Sequence, residues 1–421
     1  MKIIIVGGGF AGLRLAQKLS NKREFEILLL DKINFHQFQP LFYQVATAGL
    51  DASNISFPLR KIFQRSRNVR IRLTEVHSVD HQKKEIQTST GNYTYDLLVL
   101  ATGANTNFFG NKELMENALP MKSTEEALQI RHWLIQNFED ALNTDDQLKK
   151  EMLMTVVVVG AGPTGVELSG AIAELKANVL PKDYPDLDLG NMKIILLEGM
   201  DRTLGAMSER SSVKSRQYLE RLGVEVRTGA LVSSYNGNEV TLRDGSIIPS
   251  ATVIWAAGIK GNVPQGIDKT LIVRGDRIMV DRFNQVEGME GLFVLGDLAY
   301  MSTPLYPGGH PQVANVAVTQ AGNLALNLLN LSRGKPMQPY EYQDKGSMAT
   351  VGKHLAVVDI PKPKLHIGGV LAWYIWMGLH LFLLVGVKNR IQVFINWIYH
   401  YFTSDQSLRL LFKNFYRNTK R

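Results

Sequence analysis

The chain has 421 residues, 45% of them hydrophobic and 20% charged, the balance of a folded protein of two or three domains and not of a disordered or polytopic one. It contains no cysteine, which excludes disulfide exchange, thiolate nucleophiles, Cys-held iron–sulfur clusters and Cys zinc sites. The formal charge is +8, and most of it is terminal: from Lys388 to Arg421 seven Lys and Arg stand against Asp405 alone, a balance of +6 that suits anionic lipid or nucleic acid.

Met1-Lys2 leads straight into a strand-like run, with no separate apolar segment or cleavage site, so the chain is expected to stay in the compartment where it is made. "IIIVGGGFAG" (Ile3–Gly12) is an apolar strand followed by Gly7-x-Gly9-x-x-Gly12. In such a turn the first Gly makes the bend, the second admits a pyrophosphate, and the third lets helix pack on strand, with the helix N-terminus facing the phosphates. "FEILLLDK" then ends a second strand in Asp31, 19 residues past Gly12, where a carboxylate can accept hydrogen bonds from ribose. "NFHQFQPLFYQVATAGL" (Asn34–Leu50) mixes aromatics, Gln and small residues, and "YDLLVLATG" ends another strand at Ala101-Thr102-Gly103.

The pattern then repeats. "VVVVGAGPTG" (Val156–Gly165) carries Gly160-x-Gly162-x-x-Gly165 with Pro163 and Thr164 inside it; "KIILLEG" ends in Glu198, 33 residues past Gly165; "ATVIWAAG" ends at Ala257-Gly258. Gly7 to Ala101 is 94 residues and Gly160 to Ala256 is 96. One such motif is weak evidence; two in matching frames predict two dinucleotide-binding domains of Rossmann-like α/β fold, holding a flavin and an exchangeable nicotinamide. Glu198 favours NADH, because a carboxylate there repels a 2′-phosphate, although Arg202 stands four residues on. His36, His310, His354 and His380 are scattered without ligand spacing and are not read as metal ligands.

Past residue 336, "YQDKGSMATVGKHLAVVDI" reads as short strands broken by Gly and is expected to pack on the flavin domain. Ile367–Val387 carries no charged side chain, and as one helix it would be about 31 Å long, enough to span a bilayer. "IQVFINWIYHYF" follows with Gln392, Asn396 and His400 in one stripe. After Ser404-Asp405, a helix is expected with Arg409, Lys413 and Arg417 on one face and Leu408, Leu411, Phe412 and Phe415 on the other, an interfacial pattern. One crossing would separate the basic tail from the catalytic domains, yet both belong where NADH is. The segment is therefore expected to lie along the interface, Trp373, Trp376 and His380 marking one face. No nucleic-acid recognition motif is present.

"GLFVLGDLA", with Gly296-Asp297, resembles the segment of two-dinucleotide flavoproteins that holds the FAD ribityl–phosphate region, over about residues 1–330. That resemblance assigns FAD to the first site and NADH to the second. The absence of Cys removes the disulfide-reducing and sulfide-oxidising members. "NFHQFQPLFYQVATAGL", "GAGPTGVELSGAIAE" and "AWYIWMGLHLFLLVGVKNR" together resemble the type II NADH:quinone oxidoreductases over essentially the whole chain.

This resemblance implies a peripheral, non-pumping flavoenzyme on the cytoplasmic face of a bacterial inner membrane. Its domains would be FAD at 1–120 and 263–335, NADH at 121–262, and an anchoring segment at 336–421. FAD would be held by Gly7, Gly9, Phe10, Ala11, Gly12, Asp31, Lys32, Val76, Ala101, Thr102, Gly103, Gly296, Asp297 and Ala314. NADH would be held by Gly160, Gly162, Pro163, Thr164, Gly165, Glu198, Ala257 and Gly258. The resemblance makes Glu167 the residue near the nicotinamide–flavin contact, with Phe38–Leu41 and Ala46–Gly49 lining flavin and quinone tunnel. Quinone contacts would include Gln39, Pro40, Thr47 and Gly49. The family's Ala-Gln-x-Ala-x-Gln motif departs here to "ANVAVT", so that Asn315 and Thr319 replace the glutamines and Gln320 follows; both replacements have shorter reach. The quinone, menaquinone or ubiquinone, and homodimer formation are left open. Two other readings stay open at this point: a soluble NAD(P)H-dependent reductase of a redox protein, and a non-catalytic membrane-anchored nucleotide-binding scaffold.

Overall fold

A computed structural model describes residues 1–411. Their contacts divide them into two compact units. One comprises Met1–Gln37, Ser56–Asn105 and Ile259–Asp344; the other comprises Phe38–Ile55, Thr106–Gly258 and the chain from Lys345 onward.

The first unit is built on a five-stranded parallel sheet, in the order Leu292–Val294, Leu97–Leu100, Lys2–Val6, Glu26–Asp31, Val69–Leu73. The second carries the same arrangement: Leu119–Pro120, Thr252–Trp255, Thr155–Val159, Lys193–Glu198, Glu225–Thr228. Continuous apolar strands such as Ile3–Val6 and Val156–Val159 form the middle of each sheet because both of their faces are covered, and all eight side chains are buried. Each unit adds a three-stranded antiparallel sheet, Val76–Asp80 with Glu85–Thr88 and Gly91–Thr94 in one, Val232–Tyr235 with Glu239–Leu242 and Ile247–Pro249 in the other. The internal repeat seen in the sequence is thus a repeat of topology.

A third small sheet, Ser347–Gly352, Leu355–Ile360 and Leu365–Gly368, belongs to the second unit. The expectation that this stretch packs on the flavin domain is corrected here. It lies against the helix Pro163–Asn178, where a Cβ on Gly170 would stand 2.0 Å from the Val351 carbonyl oxygen. Only glycine permits that approach. A second tie fixes the sheet: Asp359 accepts hydrogen bonds from the Ser208 amide at 2.7 Å and from the Ser208 and Ser211 hydroxyls at 2.9 Å, and pairs with His366 at 2.7 Å.

The uncharged run is not one helix. Its first residues finish the strand Leu365–Gly368, Gly369 turns at φ +76°, and a helix runs only from Val370 to Leu383. At 1.5 Å per residue those 14 residues rise about 21 Å, short of the roughly 30 Å hydrocarbon core. Gly386, at φ +86°, separates it from a second helix, Val387–Thr403. Among the described residues no helix is long and apolar enough to cross a membrane.

Ser404–Leu411 forms no helix, which corrects the expected interfacial helix as far as it is described; Lys413, Arg417, Phe412 and Phe415 lie outside the described residues. Arg409 is drawn back onto the protein by Asp183 and Asp405, instead of standing on an exposed basic stripe.

Candidate active site

In the first unit Gly7 has φ +104°, and a Cβ there would lie 2.3 Å from the Ala101 carbonyl oxygen; a Cβ on Gly12 would lie 1.9 Å from that of Gly7. The loop therefore closes only on glycine, and leaves a bare backbone cradle. The helix it opens, Phe10–Leu19, has no side-chain cap, so its first amides remain for an anion. Asp31 accepts from the Gly8 amide at 2.5 Å and from the Ile33 amide at 2.9 Å. Burial raises its carboxyl, against those amides. Thr102 and Asn262 exchange hydrogen bonds at 2.7 and 3.0 Å and brace the strand end before Gly103. Gly296 donates its amide to the buried Gln320 side chain at 2.9 Å, and the Asp297 carbonyl accepts from Gln312 at 2.8 Å. A dinucleotide fits such a set: cradle, open helix start, and carboxylate at the second strand end. Lys32 is exposed, while Val76 is half-buried at the start of the antiparallel sheet.

The second unit repeats the device. Gly160 has φ +101°; a Cβ on Gly165 would lie 1.9 Å from the Gly160 carbonyl oxygen; Glu198 accepts from the Ala161 amide at 2.6 Å and from Met200 at 2.8 Å. Pro163 starts the helix without costing it an amide partner, and that helix too lacks a side-chain cap. Ala257 lies against Gly160, and Gly258 adopts φ +82°. Arg202 is spent on the Gly205 carbonyl at 2.9 Å.

The same helix carries Glu167, 7% exposed, into a partly open cleft within the second unit. Burial raises the Glu167 carboxyl to about 8, opposed by the Thr350 amide, 3.3 Å away, and by the Trp376 indole. A chain of hydrogen bonds leads from the second C-terminal helix toward it. Trp397 donates to Gln44 at 2.8 Å, Gln44 to the Tyr43 hydroxyl at 2.8 Å, and that hydroxyl shares a proton with Thr350 at 3.1 Å. Thr47 and Gly49 line the cleft, whereas Gln39 and Pro40 form a single turn outside its lining. Tyr43, Gln44, Glu174, Lys353, Trp397 and His400 line it too, and sequence reading missed them. Glu174 left a signal, standing at i+7 from Glu167 on the same helix face, and His400 left one in the polar stripe it shares with Gln392 and Asn396.

Asn315, Thr319 and Gln320 belong to the first unit, where the side chains of the first two are taken up and Gln320 uses only its oxygen, on the Gly296 amide. Asn315 donates to the Tyr342 hydroxyl at 3.4 Å; Thr319 donates to the Asn315 carbonyl at 2.6 Å and meets the Tyr340 hydroxyl at 2.6 Å. Ala314 opens the helix Ala314–Leu331, which is also without a side-chain cap.

The C-terminal helices turn their polar groups inward. On the first, Ala372, Trp376 and His380 are buried, with Trp373 half-buried beside them; His380 stacks on Trp376 at 4.1 Å, and burial lowers its imidazole to about 4. On the second, Asn389, Val393 and Trp397 are buried and Gln392, Asn396 and His400 half-buried. The outer surfaces carry Leu371, Phe382, Val387, Phe394, Ile395 and Phe402, with Phe402 80% exposed. A monomeric soluble surface rarely carries so continuous an apolar patch.

Residues 1–321 match the family model for pyridine nucleotide-disulphide oxidoreductases, and residues 345–405 match the NDH2 C-terminal domain. The chain is 35% identical to the type II NADH:quinone oxidoreductase NdhA of Mycobacterium tuberculosis, covering 94% of this chain and 86% of that one. It is 26% identical to the type II NADH:quinone oxidoreductase of Haemophilus influenzae, with 90% and 92% covered. Its fold matches that of NDH2 from Plasmodium falciparum, solved in complex with NADH, at a TM-score of 0.88 and 19% identity over 98% of this chain and 99% of that one. The sulfide:quinone oxidoreductase of Aquifex aeolicus has the same fold at a TM-score of 0.71, with 18% identity over 95% of both chains. With two duplicated Gly-rich loops, no cysteine, and relatives that match nine-tenths or more of its length, this chain belongs to the type II NADH:quinone oxidoreductases.

Proposed function

We propose that the protein is a peripheral membrane flavoenzyme that oxidises NADH through FAD and reduces a membrane quinone without moving protons across the membrane. The observation that carries this reading is the cleft. One wall is the helix that begins at the second phosphate loop and carries Glu167; the other is formed by two helices whose outer faces are apolar. A nucleotide site and a lipid-soluble substrate thus come to one cavity. When bound, FAD takes a hydride equivalent from NADH and passes two electrons to the quinone.

The chain supplies the rest. In this reading Gly7 to Gly12, Asp31, Lys32, Val76, Ala101 to Gly103, Gly296, Asp297 and Ala314 hold FAD, and Gly160 to Gly165, Glu198, Ala257 and Gly258 hold NADH. Glu198, with its oxygens on backbone amides, favours a free ribose hydroxyl over a phosphate. Glu167 handles a proton, its raised carboxyl suited to giving one up near neutral pH. Thr47 and Gly49, with Gln39 and Pro40, border the quinone path. The functional domains are 1–120 with 263–335 for FAD, 121–262 for NADH, and 336–421 for attachment. The partner surface is anionic lipid on the cytoplasmic face of a bacterial inner membrane; a homodimer is compatible with this reading.

Anaerobic titration of the flavoprotein with NADH, followed by a menaquinone or ubiquinone analogue, tests the proposal. Bleaching of the flavin absorbance by NADH and its recovery with quinol formation are expected. Failure to bleach would favour a non-catalytic scaffold. Bleaching without recovery by any quinone would favour a reductase of a soluble redox protein, a reading that leaves the apolar outer face unexplained.

A further inference from the structure

Reduction of a quinone to a quinol takes two electrons and two protons, whereas NADH surrenders two electrons and one proton as hydride. One proton per turnover therefore enters from solvent. We propose that His400 and Glu174 form the entry route for that proton, passing it along the cleft to Glu167; the inference rests on the quinone-reducing function proposed above.

Glu167, Ala171 and Glu174 stand at i, i+4 and i+7 on the helix Pro163–Asn178 and all line the cleft. Seven residues set the two backbone positions about 10 Å apart along the helix, with the small Ala171 between them, so the transfer calls for an intervening carrier. One cleft-lining polar atom more than nine-tenths buried, the acceptor Gln406 Oε1, has no hydrogen-bond partner, and the Trp376 indole, a donor, faces Glu167. Polar groups spaced along a cleft in this way are where bridging water belongs.

At the outer end His400 is half-buried on the second C-terminal helix, next to the exposed Tyr399 and Phe402. Its Nδ1 lies 3.2 Å from the Asp405 carbonyl, which can only accept, so Nδ1 carries the hydrogen of the neutral ring. The Nε2 lone pair is left facing Glu174 Oε2 at 4.0 Å. The charge of Lys353 favours the ionised Glu174, but its ammonium is turned to other partners. Its Nζ is held by the Tyr401 carbonyl at 2.6 Å and the Ser404 hydroxyl at 3.0 Å, and only its amide donates to Glu174.

The groups facing Glu174 are Lys353, His400 and Tyr401, with Tyr43 across the cleft and Glu167 on its own helix; Asp405 faces His400. Burial lowers the His400 imidazole and raises Glu174 to about 7 and Glu167 to about 8, so proton affinity rises inward along the route.

The test is stopped-flow on holoenzyme, reading flavin bleaching by NADH and then reoxidation by menadione between pH 6 and 8.5, for wild type, Glu174→Gln and His400→Gln. Wild-type reoxidation is expected to be nearly flat with pH. In both variants bleaching should stay within about twofold, while reoxidation falls about tenfold per pH unit above 7, as direct proton capture limits it. A small permeant acid such as imidazolium should restore the rate, and Glu174→Asp should retain most of it. Variants that bleach and reoxidise with the wild-type profile overturn the route. If Glu174→Gln does not fold, His400→Gln, altered on a half-exposed residue, decides alone. A wild type that is bleached and not reoxidised by quinone removes instead the function on which the route rests.

Discussion

Replacing Glu167 by glutamine should stabilise the protein above neutral pH while slowing quinone reduction. In the folded chain the Glu167 carboxyl holds its proton up to about 8, against an ordinary 4.5. Between those values the native state keeps a proton that the unfolded chain releases. Stability is therefore greatest below pH 4.5 and falls through this window at about 1.4 kcal/mol per pH unit, reaching ~5 kcal/mol by pH 8. Glutamine has the shape of the neutral acid, can still accept from the Thr350 amide, and does not titrate. The gap between variant and wild type should thus widen by ~3 kcal/mol from pH 6 to pH 8, or roughly 3–6 °C in Tm for a chain of this size. Glu174 is raised by burial in the same sense, but it is common to both proteins and cancels. Thermal unfolding by tryptophan fluorescence, at one scan rate and across this pH range, measures the gap. A difference that does not change with pH, or a glutamine variant less stable at pH 8, would refute the assignment of a buried, late-titrating carboxyl.

Three other perturbations separate the parts of the molecule. Gly165→Ala puts a Cβ 1.9 Å from the Gly160 carbonyl oxygen; flavin content should be retained while bleaching by NADH is lost, read by absorbance. Trp376→Ala removes a 2%-exposed aromatic that stacks on His380 and packs beside Trp397; it should cost about 3–5 kcal/mol in denaturant unfolding. Phe394→Ser with Phe402→Ser removes exposed apolar area at ~2 kcal/mol or more of transfer energy, about thirtyfold in partitioning. Flotation with anionic liposomes should show that loss with flavin reduction by NADH intact, and unchanged flotation would sink the proposed lipid contact.

How legible each part was in the sequence follows from the range of the forces that set it. Gly12 and Gly165 answer to contacts within their own turn, and the acidic strand ends answer to the loop beside them, so spacing alone exposed both loops; Gly7 and Gly160 are held in addition by the strand ends at Ala101 and Ala257. Glu167 could be singled out only through family resemblance; its burial is made by Thr350 and Trp376, nearly two hundred residues away or more. Asn315 and Thr319 were read as quinone contacts from a motif. Their hydrogen bonds go to Tyr342 and Tyr340, brought up by a segment whose pairing no local pattern announces. The C-terminal strands do mislead, because what places them is distant in the chain. Their place is set by Gly170, a residue of the distant nucleotide helix that reads as an ordinary small position until its neighbour is known.

The second C-terminal helix shows how a correct period can hide the direction of a face. Gln392, Asn396 and His400 do form one stripe, and on a soluble helix such a stripe would meet water. Here it runs beside the buried Asn389, Val393 and Trp397, while Ile391, Phe394, Ile395, Ile398 and Phe402 stand outside. The medium decides the sign. Where the outer medium is water, apolar groups go in; where it is lipid, the polar groups find their partners in the protein. His400 follows that rule, with Asp405 on one ring nitrogen and Glu174 facing the other. In the proposed function, attachment to lipid and the polar groups of the cleft are then consequences of the same inversion. A helix that hides its polar stripe from a membrane can hide it in a cavity, and in the proposed route this is what sets His400 facing Glu174.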